Sequence, residues 1–183
     1  MSLETIRLTL VPCAPAHLLA LIEGPAQFET VSGLRAADGL GGFYRSEHVR
    51  PEWITALRSA EAADPWRFGF FVIHRESGAV IGAGGFTGPP GDSATVEIGY
   101  GIVPSFEGQG YATEVAAALV EFALTSGQVH VVRAHTLPEA NPSTRVLEKC
   151  GFRHIGTIVD PVDGPVWRWE RSPESGTPIE ALG

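Results

Sequence analysis

The sequence predicts a single mixed α/β (α+β) domain, and three observations carry that prediction. Apolar residues alternate with period two through several short runs and recur with helical period through others, so strands and helices are both present. They follow one another in the order β-α-α-β-β-β-α-β-α-β-β, with neither kind confined to one half of the chain. At 183 residues, 44% hydrophobic and 19% charged, the chain can bury one core, and no repeat or internal linker divides it. The domain is expected over residues 3–171, followed by a Pro/Gly/Ser-rich tail over 172–183 without a core pattern.

Taken in order, LETIRLTLVP alternates through Leu3, Ile6, Leu8 and Leu10 and reads as one strand. Pro15 suits the first turn of a short helix through Leu18, Leu19 and Ile22, closed by Gly24. Residues 25–50 read as Gly-rich and irregular. Pro51 then opens a second helix with Trp53, Ile54 and Leu57 on one side. FGFFVIHRESGAVIGAGGF reads as a hairpin turning at Glu76-Ser77-Gly78, and ATVEIGYGIV as a further strand. In ATEVAAALVEFALTSG, Val115, Leu119 and Phe122 recur at helical spacing while Glu114 and Glu121 point elsewhere, with Gly127 as the C-terminal stop. VHVVRAH is a strand, STRVLEKCG a short helix, and a final strand pair turns around Asp163-Gly164.

Composition narrows the function classes. The net charge is −8, from 13 basic and 21 acidic side chains, and Lys149 is the only lysine. Binding to a phosphate backbone needs clustered basic residues, so no nucleic-acid partner is expected, and an amine or cationic substrate fits better. No run approaches a membrane span, and the N-terminus lacks the apolar core of a signal peptide, so no membrane partner and a cytoplasmic location are expected. Cys13 and Cys150 make neither a disulfide framework nor a zinc pattern. The six histidines lack metal spacing, and His130 and His135, five apart on a strand, should face opposite sides. No metal is expected.

The stretch IVPSFEGQGYAT, residues 102–113, carries a chemistry of its own. A strand, a glycine turn and a helix N-terminus together favour an anion, because the first helical amides lack internal partners. Gly108 and Gly110 would let those amides approach phosphate oxygens with no Cβ in the way. A P-loop would need Gly-Lys-Ser/Thr, and a dinucleotide fingerprint would need a third glycine where Thr113 stands. A tight turn with no ligand is the plain structural alternative.

The wider pattern VEIGYGIVPxxxGQGYATE, followed by NPSTRVLEKCGF, resembles the GNAT superfamily of acyl-CoA-dependent N-acyltransferases. The chain looks most like the branch of ribosomal-protein N-terminal acetyltransferases, which the opening TIRLTL and the element order also match. That resemblance implies a splayed mixed central sheet and acetyl-CoA as cosubstrate, without a metal. It implies that the amides of Gly108, Gln109, Gly110, Tyr111, Ala112 and Thr113 hold the diphosphate of coenzyme A. Backbone groups of Tyr100, Gly101 and Ile102 would pair with the pantetheine arm like another strand, and Asn141 would also meet that arm. Two positions depart from the family pattern. Glu107 stands where Arg or Gln often precedes the first glycine, and is expected to point outward. Leu147 stands at the usual place of a tyrosine general acid.

Amide formation from a thioester needs a neutral amine, a stabilised oxyanion and a protonated leaving thiolate. Period two puts Thr95, Glu97 and Gly99 on one strand face and Val96, Ile98 and Tyr100 on the other. By resemblance, Glu97 is the base that deprotonates the incoming ammonium; the structural alternative pairs it with an arginine such as Arg133. Ser143 would assist the thiolate, amides near Ile102 would polarise the carbonyl, and Cys150 is expected in the core. For Asn141 and Ser143 the alternative is helix capping alone. Trp53, Trp66, Trp167 and Trp169 are expected in the core, with one or two reaching the acceptor cleft. The expected reaction is acetyl transfer to a primary amine, on a protein N-terminus or a small molecule, and a homodimer is among the expected assemblies. A coenzyme-A-binding module with little catalysis is one alternative, motivated by Glu107 and Leu147. A nucleotide-phosphate hydrolase is another, and it lacks the lysine and magnesium carboxylates it would need.

Overall fold

The computed structural model describes residues 1–45 and 49–173, so the expected tail lies, from residue 174 on, outside the described residues. The expected first strand is two. β1 (Leu3–Glu4) and β2 (Leu8–Pro12) pair antiparallel across a turn, with Leu3 opposite Leu10. The turn forms because Thr5 closes it, its amide donating to the Leu8 carbonyl and its hydroxyl accepting from the Leu8 amide. Ile6, placed on the alternating face by the sequence, is 88% exposed at its tip.

α1 (Pro15–Glu23) starts on its proline and ends at Gly24 as expected. The stretch read as irregular holds more order than its composition suggested. α2 (Pro25–Ser32) opens on Pro25 and stops at Gly33 in the left-handed conformation, burying only Phe28. A two-residue strand β3 (Arg35–Ala36) and a 3-10 turn over Leu40–Tyr44 follow. α3 (Pro51–Ser59) buries Leu57, and a single turn α4 (Pro65–Phe68), also absent from the sequence reading, is capped by Asp64.

The remaining elements fall where they were expected. They are β4 (Phe70–His74), β5 (Ala79–Phe86), β6 (Thr95–Ile102), α5 (Tyr111–Thr125), β7 (Val131–Thr136), α6 (Pro142–Lys149), β8 (Arg153–Asp160) and β9 (Gly164–Arg171). The sheet runs β1-β2-β4-β5-β6-β7-β9-β8, with β3 beside β5 off this path. Along the path only β6 and β7 are parallel.

Helices cover both faces because successive strand residues point opposite ways. Phe70 meets Phe122 of α5 at 5.5 Å between ring centroids, while the next residue, Phe71, meets Phe28 of α2 at 5.3 Å on the other face. α5 lies across the middle of the sheet and buries Val115, Ala116, Leu119 and Ala123. Among the described residues no helix is long and apolar enough to cross a membrane.

Candidate active site

The parallel pair β6 and β7 comes apart partway along. Pairing holds from Thr95 opposite Val131 to Glu97 opposite Arg133, and there it stops. β6 continues to Ile102 on the arm of β5, with Ile98 opposite Phe86 and Ile102 opposite Gly82. Beyond Glu97 the β7-facing edge of β6 therefore has no ladder partner, which leaves the outward backbone groups of Tyr100 and Ile102 without one, while Gly101, in phase with Glu97 and Val103, faces β5. Both parallel strands leave toward the same end, so α5 and α6 begin at the end where the strands diverge. A crevice at the carboxyl ends of parallel strands is where open α/β sheets bind ligands.

The glycine turn closes that end. Gly108 and Gly110 have φ of +74° and +86°, the left-handed region that favours glycine. Nothing lies within 4 Å of a Cβ built on Gly108. Gly110 caps α5 with no side-chain hydrogen bond, and no proline stands in the first turn, so Tyr111, Ala112 and Thr113 present ordinary amides at an open helix end. These residues fit a diphosphate: a fifteen-residue helix, uncapped, with clear space at Gly108 and a guanidinium beside Gly110. Glu107 and Gln109 are exposed beside it.

Arg7 is a cation at this turn that the sequence reading did not single out. Its Nη2 lies 3.1 Å from where a Cβ on Gly110 would stand, and its guanidinium sits 4.2 Å from the Tyr111 ring centroid. Glu114, on the first turn of α5, holds it: Oε2 accepts from Arg7 Nε at 2.6 Å and Oε1 from the Arg7 amide at 3.0 Å. The Thr5 hydroxyl donates to the same carboxylate at 2.6 Å. Burial would push the Glu114 carboxyl up, but these donors and the Arg7 charge outweigh it and hold it below the ordinary range. The Tyr111 side chain points away from the turn, into the core, where its hydroxyl meets His74 Nε2 at 3.0 Å.

At the start of α6 the capping alternative holds for Asn141. Its Oδ1 accepts from the Thr144 amide at 2.9 Å, and the Thr144 hydroxyl accepts in return from the Asn141 amide at 3.0 Å. The cap leaves Asn141 Nδ2 as a further donor. Ser143 takes no part in the box and stands exposed in the first turn. Leu147 is 1% exposed, and Cys150 is buried as expected, its thiol pushed up to about 11 by burial despite Arg171 and Lys149. Burial and the nearby Cys150 also raise the Tyr100 phenol above its ordinary value.

Glu97 does not pair with Arg133, whose guanidinium goes to Glu170 at 2.6 Å. Its Oε1 instead meets His135 Nδ1 at 2.8 Å, and its side chain is 36% exposed. His135 was read only as facing away from His130, which lies exposed just before β7 begins. The spacing Arg133–His135 was the available signal, since period two places both on one face.

Beside this group lies a wide cleft, made of two adjoining cavities of about 400 Å³ and 540 Å³. Both are lined by Phe43, Tyr44, Trp53, Arg67 and Thr87. The first is floored by Gly84, Gly99 and Gly101, and the second is rimmed by Arg50 and Glu52. Glycine at 101 lets the Phe43 ring lie against the strand, since a Cβ there would stand 2.6 Å from that ring and displace it. Of the four tryptophans, Trp53 reaches the cleft, stacked on Tyr44 with its Nε1 donating to the Arg67 carbonyl. Trp66 packs on Phe86 and Phe122, Trp169 is buried, and Trp167 packs on His154.

A splayed parallel pair facing a glycine turn, with a carboxylate at the branch point, defines an acyl-CoA-dependent acyltransferase fold. The sequence matches the Acetyltransferase (GNAT) domain over residues 7–153, and the chain belongs to that family. It is 37% identical over 87 residues to the uncharacterized N-acetyltransferase YnaD of Bacillus subtilis, across 48% of this chain and 51% of YnaD. The chain thus spans about half the length of that curated relative. In fold it is similar to RimL, a ribosomal L7/L12 alpha-N-protein acetyltransferase solved with coenzyme A (TM-score 0.65, 16% identity, 96% of this chain and 99% of that one). It is similar in the same way to a spermidine N-acetyltransferase SpeG chimera from Vibrio cholerae and hSSAT (TM-score 0.65, 17% identity, 91% and 95%).

Proposed function

We propose that this chain transfers an acetyl group from acetyl-CoA to a primary amine, on a protein N-terminus or a small molecule, by direct attack in a ternary complex. The observation that carries the reading is the parting of β6 from β7 immediately after Glu97, with an uncapped helix end at the mouth of the gap. The amides of Gly108 to Thr113 would take the diphosphate, with Arg7 adding the positive charge that Glu107 does not. The open edge of β6 at Tyr100 to Ile102 would take the pantetheine arm, with Asn141 Nδ2 as a further donor. Acetyl-CoA supplies the activated carbonyl.

Glu97 then accepts a proton from the acceptor ammonium, directly or through one water, and the neutral nitrogen attacks. The C–N bond forms, the tetrahedral adduct collapses with cleavage of the C–S bond, and the nitrogen's second proton passes through Ser143 or solvent to the departing thiolate. The cleft beside Gly99 holds the acceptor. Among the described residues its rim carries Arg50 and Arg67 against Glu52, in contrast to the chain's overall negative charge. One structural relative named for a protein N-terminus and one for spermidine motivate both acceptor classes.

Calorimetric titration with acetyl-CoA, followed by thiol release with a panel of amines, tests the reading. Binding in the micromolar range is expected, together with turnover that falls about 10²- to 10⁴-fold in Glu97→Gln. A folded wild-type protein that does not bind acetyl-CoA sinks the proposal. Binding without turnover on any amine favours the coenzyme-A-binding module instead.

A further inference from the structure

Three strands bring a carboxylate, an imidazole and a guanidinium into one line. His135 on β7 stands directly opposite Arg168 on β9, and lies two residues beyond Arg133, which is opposite Glu97 on β6. Arg168 Nε donates to His135 Nε2 at 3.1 Å, and His135 Nδ1 meets Glu97 Oε1 at 2.8 Å. Arg133, the other cation facing Glu97 across the ladder, is engaged by Glu170.

The tautomer follows from the chemistry of the partners. A guanidinium has N–H donors and no acceptor, so Nε2 must present its lone pair to Arg168. The ring proton is then on Nδ1 and points at Glu97. The same carboxylate–imidazole pair could work the other way, with the acid orienting His135 and Nε2 acting as the base. Arg168 blocks that arrangement by sitting on Nε2.

We propose that His135, held as its Nδ1–H tautomer by Arg168, is a positioning residue that fixes the Glu97 carboxylate for proton abstraction. The proposal rests on the reading of Glu97 as the base. With Oε1 tied to His135, Oε2 is the oxygen turned to the acceptor, and the rotamer is set before the amine arrives. A carboxylate 36% exposed at the mouth of a splayed pair would otherwise sample several rotamers.

Two measurements test it. Long-range ¹H–¹⁵N correlation at neutral pH reads the His135 ring directly, the signal being assigned by its loss in His135→Asn. The Nδ1–H pattern is expected in the wild type; an Nε2–H ring, or one protonated on both nitrogens, overturns the proposal. In the thiol-release assay, His135→Ala should lower kcat about 10- to 100-fold with the KM for acetyl-CoA little changed, because only the reacting geometry loosens. His135→Asn keeps an N–H at the Nδ1 position and should recover most of that loss, which a role in folding alone would not produce. Wild-type turnover in His135→Ala, with Glu97→Gln inactive, refutes the positioning role and leaves the Glu97 reading standing. Wild-type turnover in Glu97→Gln refutes both.

Discussion

Replacing Glu114 by Gln perturbs the contact that ties the N-terminal hairpin to the glycine turn. The carboxylate accepts three hydrogen bonds, from the Thr5 hydroxyl, the Arg7 amide and Arg7 Nε. Bonds to a charged, half-buried acceptor are each worth about 1.5–3 kcal/mol, but the Arg7 side chain is 41% exposed and that pair is discounted for solvent screening. Gln keeps one acceptor oxygen and turns an NH₂ toward a donor, so the net loss is set at about 1–2 kcal/mol, or roughly 3–6 °C in Tm for a domain of this size. The pH dependence gives the sharper check. The folded Glu114 pKa lies below its ordinary 4.5, so its stabilisation is complete above that value and is lost as pH falls through the folded pKa. Chemical denaturation of wild type and Glu114→Gln from neutral pH down to about pH 3.5 should show a constant gap that closes at the acid end. A gap that is absent at pH 7, or that persists undiminished in acid, refutes the reasoning.

Two further substitutions probe how the site is built. Gly82→Ala puts a Cβ 2.2 Å from the Gly101 carbonyl oxygen, between paired strands that cannot separate, and should cost about 3 kcal/mol or prevent soluble expression. Gly99→Ala on the neighbouring strand meets nothing within 4 Å and should stay within about 1 kcal/mol of wild type by the same denaturation measurement; equal costs would show that the β5–β6 approach is not what demands glycine. Leu147→Tyr restores the family's usual residue at a position 1% exposed, and should cost about 1–3 kcal/mol through overpacking with no gain in turnover. A faster, equally stable Leu147→Tyr enzyme would mean that the phenol finds the reaction centre.

The parts of this molecule that could be read from sequence are those set by neighbouring residues. Helix starts at Pro15 and Pro51, the turns at Gly78 and Gly164, and the strand-turn-helix at 102–113 each follow from local backbone preference. The errors have local causes too. Alternation ran through Ile6 because a two-residue strand and its turn share the period of one longer strand, and only Thr5 and its bonds to Leu8 separate them. α2 was missed because its helical face reduces to one buried residue, Phe28, although Pro25 and Gly33 bracket it as start and stop signals.

Cross-strand register is where sequence reading ran out, and it is what assembles the polar side of the site. Arg7 reaches Gly110 and Glu114 across more than one hundred positions, and Glu97 finds His135 and, through it, Arg168 across three strands. None of these pairs is a motif, because a strand's neighbour is chosen by burial along its whole length. The same distinction accounts for the departures from the family pattern. On the proposed reading the backbone would make most of the contacts at the glycine turn, so an exposed Glu107 in place of Arg or Gln would leave the cradle intact, with Arg7 of the first hairpin as the nearby cation. At Leu147 the departure fills a packed interior, and on the proposed reading proton delivery to the thiolate would fall to exposed groups such as Ser143 or to solvent. A site framed by main chain can therefore exchange its charged side chains between distant segments while its glycines stay recognisable.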